Sequence, residues 1–118
     1  MKAAELIRIV EARPLIECGG EAQTEICYGF ACDLMSDALA LIQNSDATVL
    51  LTGLANAQSL RTAEMLDIRM VVYVRAKQLS RQDLELARQM GISIYSTALT
   101  MYEACGRLYE HGLPPLVI

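Results

Sequence analysis

Thr48-Val-Leu-Leu-Thr-Gly53, Met70-Val-Val-Tyr-Val-Arg75 and Ile92-Ser-Ile-Tyr-Ser-Thr97 decide the fold of this 118-residue chain. They begin 22 residues apart, and each is rich in β-branched residues, ends in small or polar ones and leads into a stretch of helical periodicity. A strand with one wet face alternates apolar and polar residues. These runs do not, as expected of parallel strands covered on both faces. A strand, a crossover helix and the next strand need this much chain. The sequence therefore predicts an α/β fold over residues 1–118, a single domain with a mainly parallel sheet of about 4–5 strands flanked by helices.

Outward from this core, Ala3, Leu6, Ile7 and Val10 fall on one face of an amphipathic helix that Pro14 stops. Pro14 to Glu17 reads as a short strand at a sheet edge, where proline is tolerated. Glu21 to Glu25 reads as a polar loop, and Ile26 to Ala31 as a strand interrupted by Gly29. Asp33 to Ile42 reads as a helix capped by Asp33, with Asp37 near its positive end. Asn56 caps a helix to Asp67 that turns Ala57, Leu60, Ala63 and Leu66 inward. Ser80 caps the next, which presents Leu84, Ala87 and Met90 and ends at Gly91. Thr100 and Glu103 have capping-box spacing for a last helix. It buries Met101, Cys105, Leu108 and Tyr109 and stops at Gly112. His111, the only histidine, complements the dipole there.

Net charge is −4 and basic residues are scattered, which argues against a nucleic-acid or anionic-membrane partner. Met1-Lys-Ala-Ala-Glu-Leu lacks the apolar core of a signal peptide, and no apolar run approaches the length of about 20 residues that spans a bilayer. A cytoplasmic protein is expected. Hydrophobic residues make up 53 %, more than one compact monomer easily hides. The 33–42 helix is apolar almost all round. Leu34, Met35, Ala38, Leu41 and Ile42 are therefore expected at a two-fold homodimer interface of more than about 1,000 Å².

Cys18, Cys27, Cys32 and Cys105 lack the C-x₂-C pairs of common zinc and iron–sulfur sites, so reduced thiols are expected, with Cys105 buried and no metal bound. A cluster on Cys18, Cys27 and Cys32 is the alternative. No phosphate-binding loop, dinucleotide fingerprint or histidine metal motif occurs, so neither a cofactor nor a catalytic residue is assigned. Asp33 and Asp37 sit one turn apart, a spacing that either a divalent ion or a helix N-terminus would favour.

In an open parallel sheet, ligands bind outside the C-terminal strand ends, where strand order switches direction. Asp33, Ser36, Thr52, Gly53, Asn56, Arg75, Lys77, Ser96, Thr97 and Thr100 fall on that edge. Free N–H groups, Arg75 and Lys77 together suit a phosphate or carboxylate. Singly, Asp33, Asn56 and Thr100 also read as caps, Gly53 as a turn residue and the two cations as solvated loop charges.

Asp33-Leu-Met-Ser-Asp37, Thr52-Gly53, Arg61-Thr-Ala-Glu-Met65 and Ser96-Thr97-x-x-Thr100-Met-Tyr-Glu-Ala-Cys105 resemble the DRTGG domain family, above all its short stand-alone bacterial members, over residues 32–113. The literal Asp-Arg-Thr-Gly-Gly is absent, and only Thr52-Gly53 stands at the corresponding strand end. The resemblance implies an α/β regulatory or dimerisation module. Its relatives accompany CBS domains in regulated pyrophosphatases, occur in phosphate acetyltransferases and are similar to the N-terminal domain of HPr kinase. The expected function is thus a non-catalytic, homodimeric regulatory or interaction domain that binds a small anionic metabolite or nucleotide. Stand-alone members tend to lie near iron-only hydrogenase maturation proteins. That implies a first alternative, a scaffold or iron-handling accessory with a protein partner. A small phosphate-handling enzyme is the second.

Overall fold

The computed structural model describes residues 1–20 and 23–118, so the expected 21–25 loop lies partly outside the described residues. The elements run α1 (Ala3–Ile9), β1 (Arg13–Ile16), β2 (Tyr28–Ala31), α2 (Met35–Leu41), β3 (Thr48–Thr52), α3 (Ala57–Met65), β4 (Met70–Tyr73), α4 (Arg81–Met90), β5 (Ser93–Ser96) and α5 (Met101–Glu110). They build one five-stranded sheet in the order β1-β5-β4-β3-β2. The β2–β3, β3–β4 and β4–β5 pairs are parallel, and β1 joins β5 antiparallel at the edge.

The central runs lack alternation because both of their faces are dry. Leu50, Val71, Tyr73, Ile92 and Ile94 pack with Met35, Ala38, Leu60, Ala63 and Ala87 on the α2–α3–α4 side. Val49, Leu51, Val72, Val74 and Tyr95 pack with Ala3, Leu6, Ala104 and Leu108 beneath α1 and α5. Strands β2 to β5 succeed one another in one direction across the sheet. Crossovers of a single hand therefore bring α2, α3 and α4 to the same face. The chain then turns α5 onto the opposite face.

Capping follows the side chains expected to provide it. Asn56, Ser80 and Thr100 accept from the backbone N–H of Ser59, Asp83 and Glu103 at 3.1, 3.1 and 3.3 Å. Gly91 closes α4 in the left-handed region at φ +72°. Helix α2 departs from expectation: it begins at Met35, Leu34 occupies its N-cap position, and no side chain caps it.

The expected interface residues divide. Met35, Ala38 and Ile42 are at most 5 % exposed within the single chain, where they seal the sheet. They are therefore part of the single chain's own core. Leu34, Leu39 and Leu41 stay exposed, at 57, 41 and 43 %. On α5, Tyr109 is exposed, and Cys105 is only half-buried. A tyrosine one position beyond Leu108 turns off the buried stripe toward solvent.

Both sheet edges are modified. The outer edge of β2 carries the C-terminal tail: Gly29 N–H donates to Pro114 O and Leu116 N–H to Gly29 O, each at 3.0 Å. The other edge is β1, four residues long with Pro14 inside it. Among the described residues no helix is long and apolar enough to cross a membrane.

Candidate functional site

Because α4 and α5 leave β4 and β5 toward opposite faces, the switch point falls between the C-terminal ends of these two strands. That is where an open sheet splits into a crevice. Here the two loops are stitched together. Arg75 N–H donates to Leu99 O and Ala76 N–H to Thr97 O, both at 2.8 Å, and Ser96 Oγ donates to Lys77 O at 2.8 Å. Thr97 Oγ1 donates to Val10 O at 2.6 Å and accepts from Leu99 N–H at 3.2 Å. Ser96 and Thr97, both buried, are thereby engaged in holding the loops, and Asn56 and Thr100 in capping helices. Ser36 and Lys77 lie exposed.

Four of the expected residues do meet, one strand over, across the ends of β2, β3 and β4. The Asp33 carboxylate accepts from Gly53 N–H at 2.6 Å and from Thr52 Oγ1 at 3.2 Å. Thr52 Oγ1 in turn accepts from Leu54 N–H at 3.1 Å, which leaves its hydroxyl proton for Asp33. Arg75 Nη1 stands 3.6 Å from the other carboxylate oxygen. The Gly53 N–H foremost, with the Thr52 hydroxyl and Arg75, holds the Asp33 carboxyl below its usual range, against an opposing effect of burial second only to the Gly53 hydrogen bond. Asp33 is thus not the cap of α2. Its carboxylate reaches across to β3 and takes the strand-end N–H of Gly53 in a charge-assisted hydrogen bond, while Leu34 holds the N-cap position of α2.

Gly53 permits a close approach and not a turn: a Cβ at this position would overlap the Arg75 guanidinium, the flexible end of a side chain, unless it moved aside. Arg75 is delivered by an unusual backbone. Arg75 and Ala76 are both left-handed, at φ +58° and +57°. Each such non-glycine residue costs about 1–3 kcal/mol, and the two N–H bonds to the β5–α5 loop over-determine the shape. Beneath this edge Ser59 Oγ donates to Asn56 O at 2.8 Å, so the buried Tyr73 hydroxyl donates to Ser59 at 2.7 Å. Burial pushes Tyr73 up to about 12. Tyr73 and Ser59 escape a reading of the sequence, because a strand tyrosine and a helix serine 14 residues apart carry no shared motif.

Other features lie away from this edge. A cleft of about 550 Å³ opens at the opposite, N-terminal ends of the strands, between Ile26, Thr48, Arg69 and Gly91. Cys18 and Cys27 are exposed and Cys32 and Cys105 partly buried, burial pushing both of the latter thiols up. Among the described residues no three His, Cys, Asp or Glu side chains are grouped to hold a metal ion. His111 Nδ1 lies 2.7 Å from Arg107 O at the end of α5.

No family model matches the sequence, and no curated protein matches it. Among solved structures, the fold matches the CBS and DRTGG domains of the regulatory region of a Clostridium perfringens pyrophosphatase, complexed with its activator diadenosine tetraphosphate. The TM-score is 0.71 at 14 % sequence identity, over 96 % of this chain and 47 % of that one. The chain has a DRTGG-like fold and spans about half the length of this neighbour.

Proposed function

We propose that this domain is a non-catalytic regulatory or interaction module that forms homodimers and takes a small anionic metabolite or nucleotide at the C-terminal ends of β3 and β4. The observation that carries the reading is the convergence of the Gly53 N–H, the Thr52 hydroxyl and the Arg75 guanidinium on one carboxylate. A strand-end N–H, a hydroxyl and a guanidinium are the donors that phosphate and carboxylate groups use. The structural neighbour is a regulatory region that binds a nucleotide activator, which favours sensing over chemistry.

The dimer reading rests on Leu34 and Leu41, which share a flank of α2 and stay exposed. The ligand reading is tested by titrating pyrophosphate and diadenosine tetraphosphate while following the backbone amide of Gly53. Saturable shifts at Gly53 that are weakened at least about tenfold in Arg75→Ala support it, the scale of one charge-assisted hydrogen bond. Binding that leaves Gly53 unmoved, or is indifferent to Arg75, refutes it.

A further inference from the structure

The anion site just described is already occupied by an anion of the chain itself. Asp33 stands 20 residues before Gly53, at the end of β2, and places one carboxylate oxygen on its N–H at 2.6 Å. A second anion cannot share the Gly53 N–H and the Thr52 hydroxyl with that oxygen, and two negative charges within a few ångströms repel. Any oxyanion that uses these donors must therefore move Asp33 out.

Three features make such an exchange feasible. The Arg75–Asp33 contact, at 3.6 Å, is longer than a hydrogen bond, so the guanidinium keeps most of its donors for a larger anion. The Asp33 side chain is about half exposed, at 52 %, so its departure opens no cavity in the core. Asp33 also has a second place to go, because α2 begins just after it with no side chain on its first N–H groups. Aspartate is among the best residues for that role.

We propose that Asp33 is a built-in competitor: a phosphate-class oxyanion binds Gly53, Thr52 and Arg75 by displacing the Asp33 carboxylate, which then turns to the start of α2. Ligand occupancy is thereby linked to the junction between β2 and α2, the helix that carries exposed Leu34 and Leu41. The inference rests on the anion reading of this edge and adds its regulation.

The test is a pyrophosphate titration of the full chain as wild type, Asp33→Ala and Asp33→Asn, read at the Gly53 amide. Asp33→Ala is expected to bind about tenfold or more tightly than wild type, since one charge-assisted competitor is gone. Asp33→Asn keeps an acceptor without the charge and is expected to fall between the two. It also serves as the reporter if the alanine variant fails to fold. In wild type, binding should shift the amides of Met35 and Ser36 along with that of Gly53. Equal affinity of wild type and the Asp33 variants at Gly53 overturns the competition while the anion site stands. Absence of any pyrophosphate effect at Gly53 in all three proteins overturns both.

Discussion

Thr97→Val replaces a buried hydroxyl by a methyl group of nearly the same shape, and its cost can be worked from two hydrogen bonds. Thr97 Oγ1 donates to the carbonyl of Val10 at the end of α1, at 2.6 Å, and accepts from Leu99 N–H at 3.2 Å. Valine fills the space but leaves both backbone groups without their partner. A buried polar group stripped of its hydrogen bond costs about 1–3 kcal/mol. The Val10 carbonyl is fully enclosed and Leu99 partly so, which gives about 2–4 kcal/mol for the pair. Against a total stability on the order of 5–15 kcal/mol the loss is large. In urea, where m is about 1–3 kcal/mol/M, the midpoint should fall by about 1–2 M with m unchanged. Thr97→Ser keeps the hydroxyl and should recover most of the loss. A second consequence separates this account from ordinary core damage. Leu99 O holds the left-handed Arg75, so Thr97→Val should also disturb the amides of Arg75 and Ala76. A midpoint within about 0.3 M of wild type, with those amides unmoved, would refute the reasoning.

The Asp33 carboxyl is held below its usual range in the folded protein, so it contributes stability that is complete above its unfolded pKa and lost as pH falls through the folded value. Stability should therefore decline below about pH 4, and Asp33→Asn should flatten that decline in acid urea titrations. The remaining slope includes Glu25, whose carboxylate meets the terminal ammonium and has the same sign. Gly53→Ala should fold normally, because the flexible Arg75 side chain can swing aside, yet lose anion binding at Gly53 in the pyrophosphate titration. On the proposed homodimer through α2, Leu41→Glu should give a folded monomer in light scattering where wild type gives a dimer, since Leu41 is 43 % exposed in the single chain and outside its core. An unchanged dimer mass would place the interface elsewhere.

The three central strands are legible in the sequence because burial on both faces removes the apolar–polar alternation, and that signal is local. The caps Asn56, Ser80 and Thr100 are legible for the same reason: each acts three residues away. Pro14 marks an edge strand correctly, but nothing local reports that β1 runs antiparallel to β5. Asp33 misleads because two physically sound roles compete, and the winning donor lies on another strand, in a contact that no periodicity encodes. Gly53 and Arg75 are visible as residue types. Their stacking is not, since it depends on two non-glycine residues in the left-handed region, which sequence statistics disfavour. The apolar girdle of the 33–42 helix points correctly to surplus surface yet overstates it, because Met35, Ala38 and Ile42 are absorbed by the chain's own sheet.

The tail that lies along β2 restricts how this domain can meet anything else. A sheet with a bare edge recruits partners by adding strands, and two copies of such a sheet can merge into one continuous layer. Here Pro114 and Leu116 occupy the hydrogen-bonding groups of Gly29, and at the far side β1 offers four residues, one without an N–H to give. Backbone recognition is thereby blocked at Gly29 on one border and weakened along the other. A protein partner of this domain is steered toward side chains, on the helical faces or in the loops, and away from strand addition.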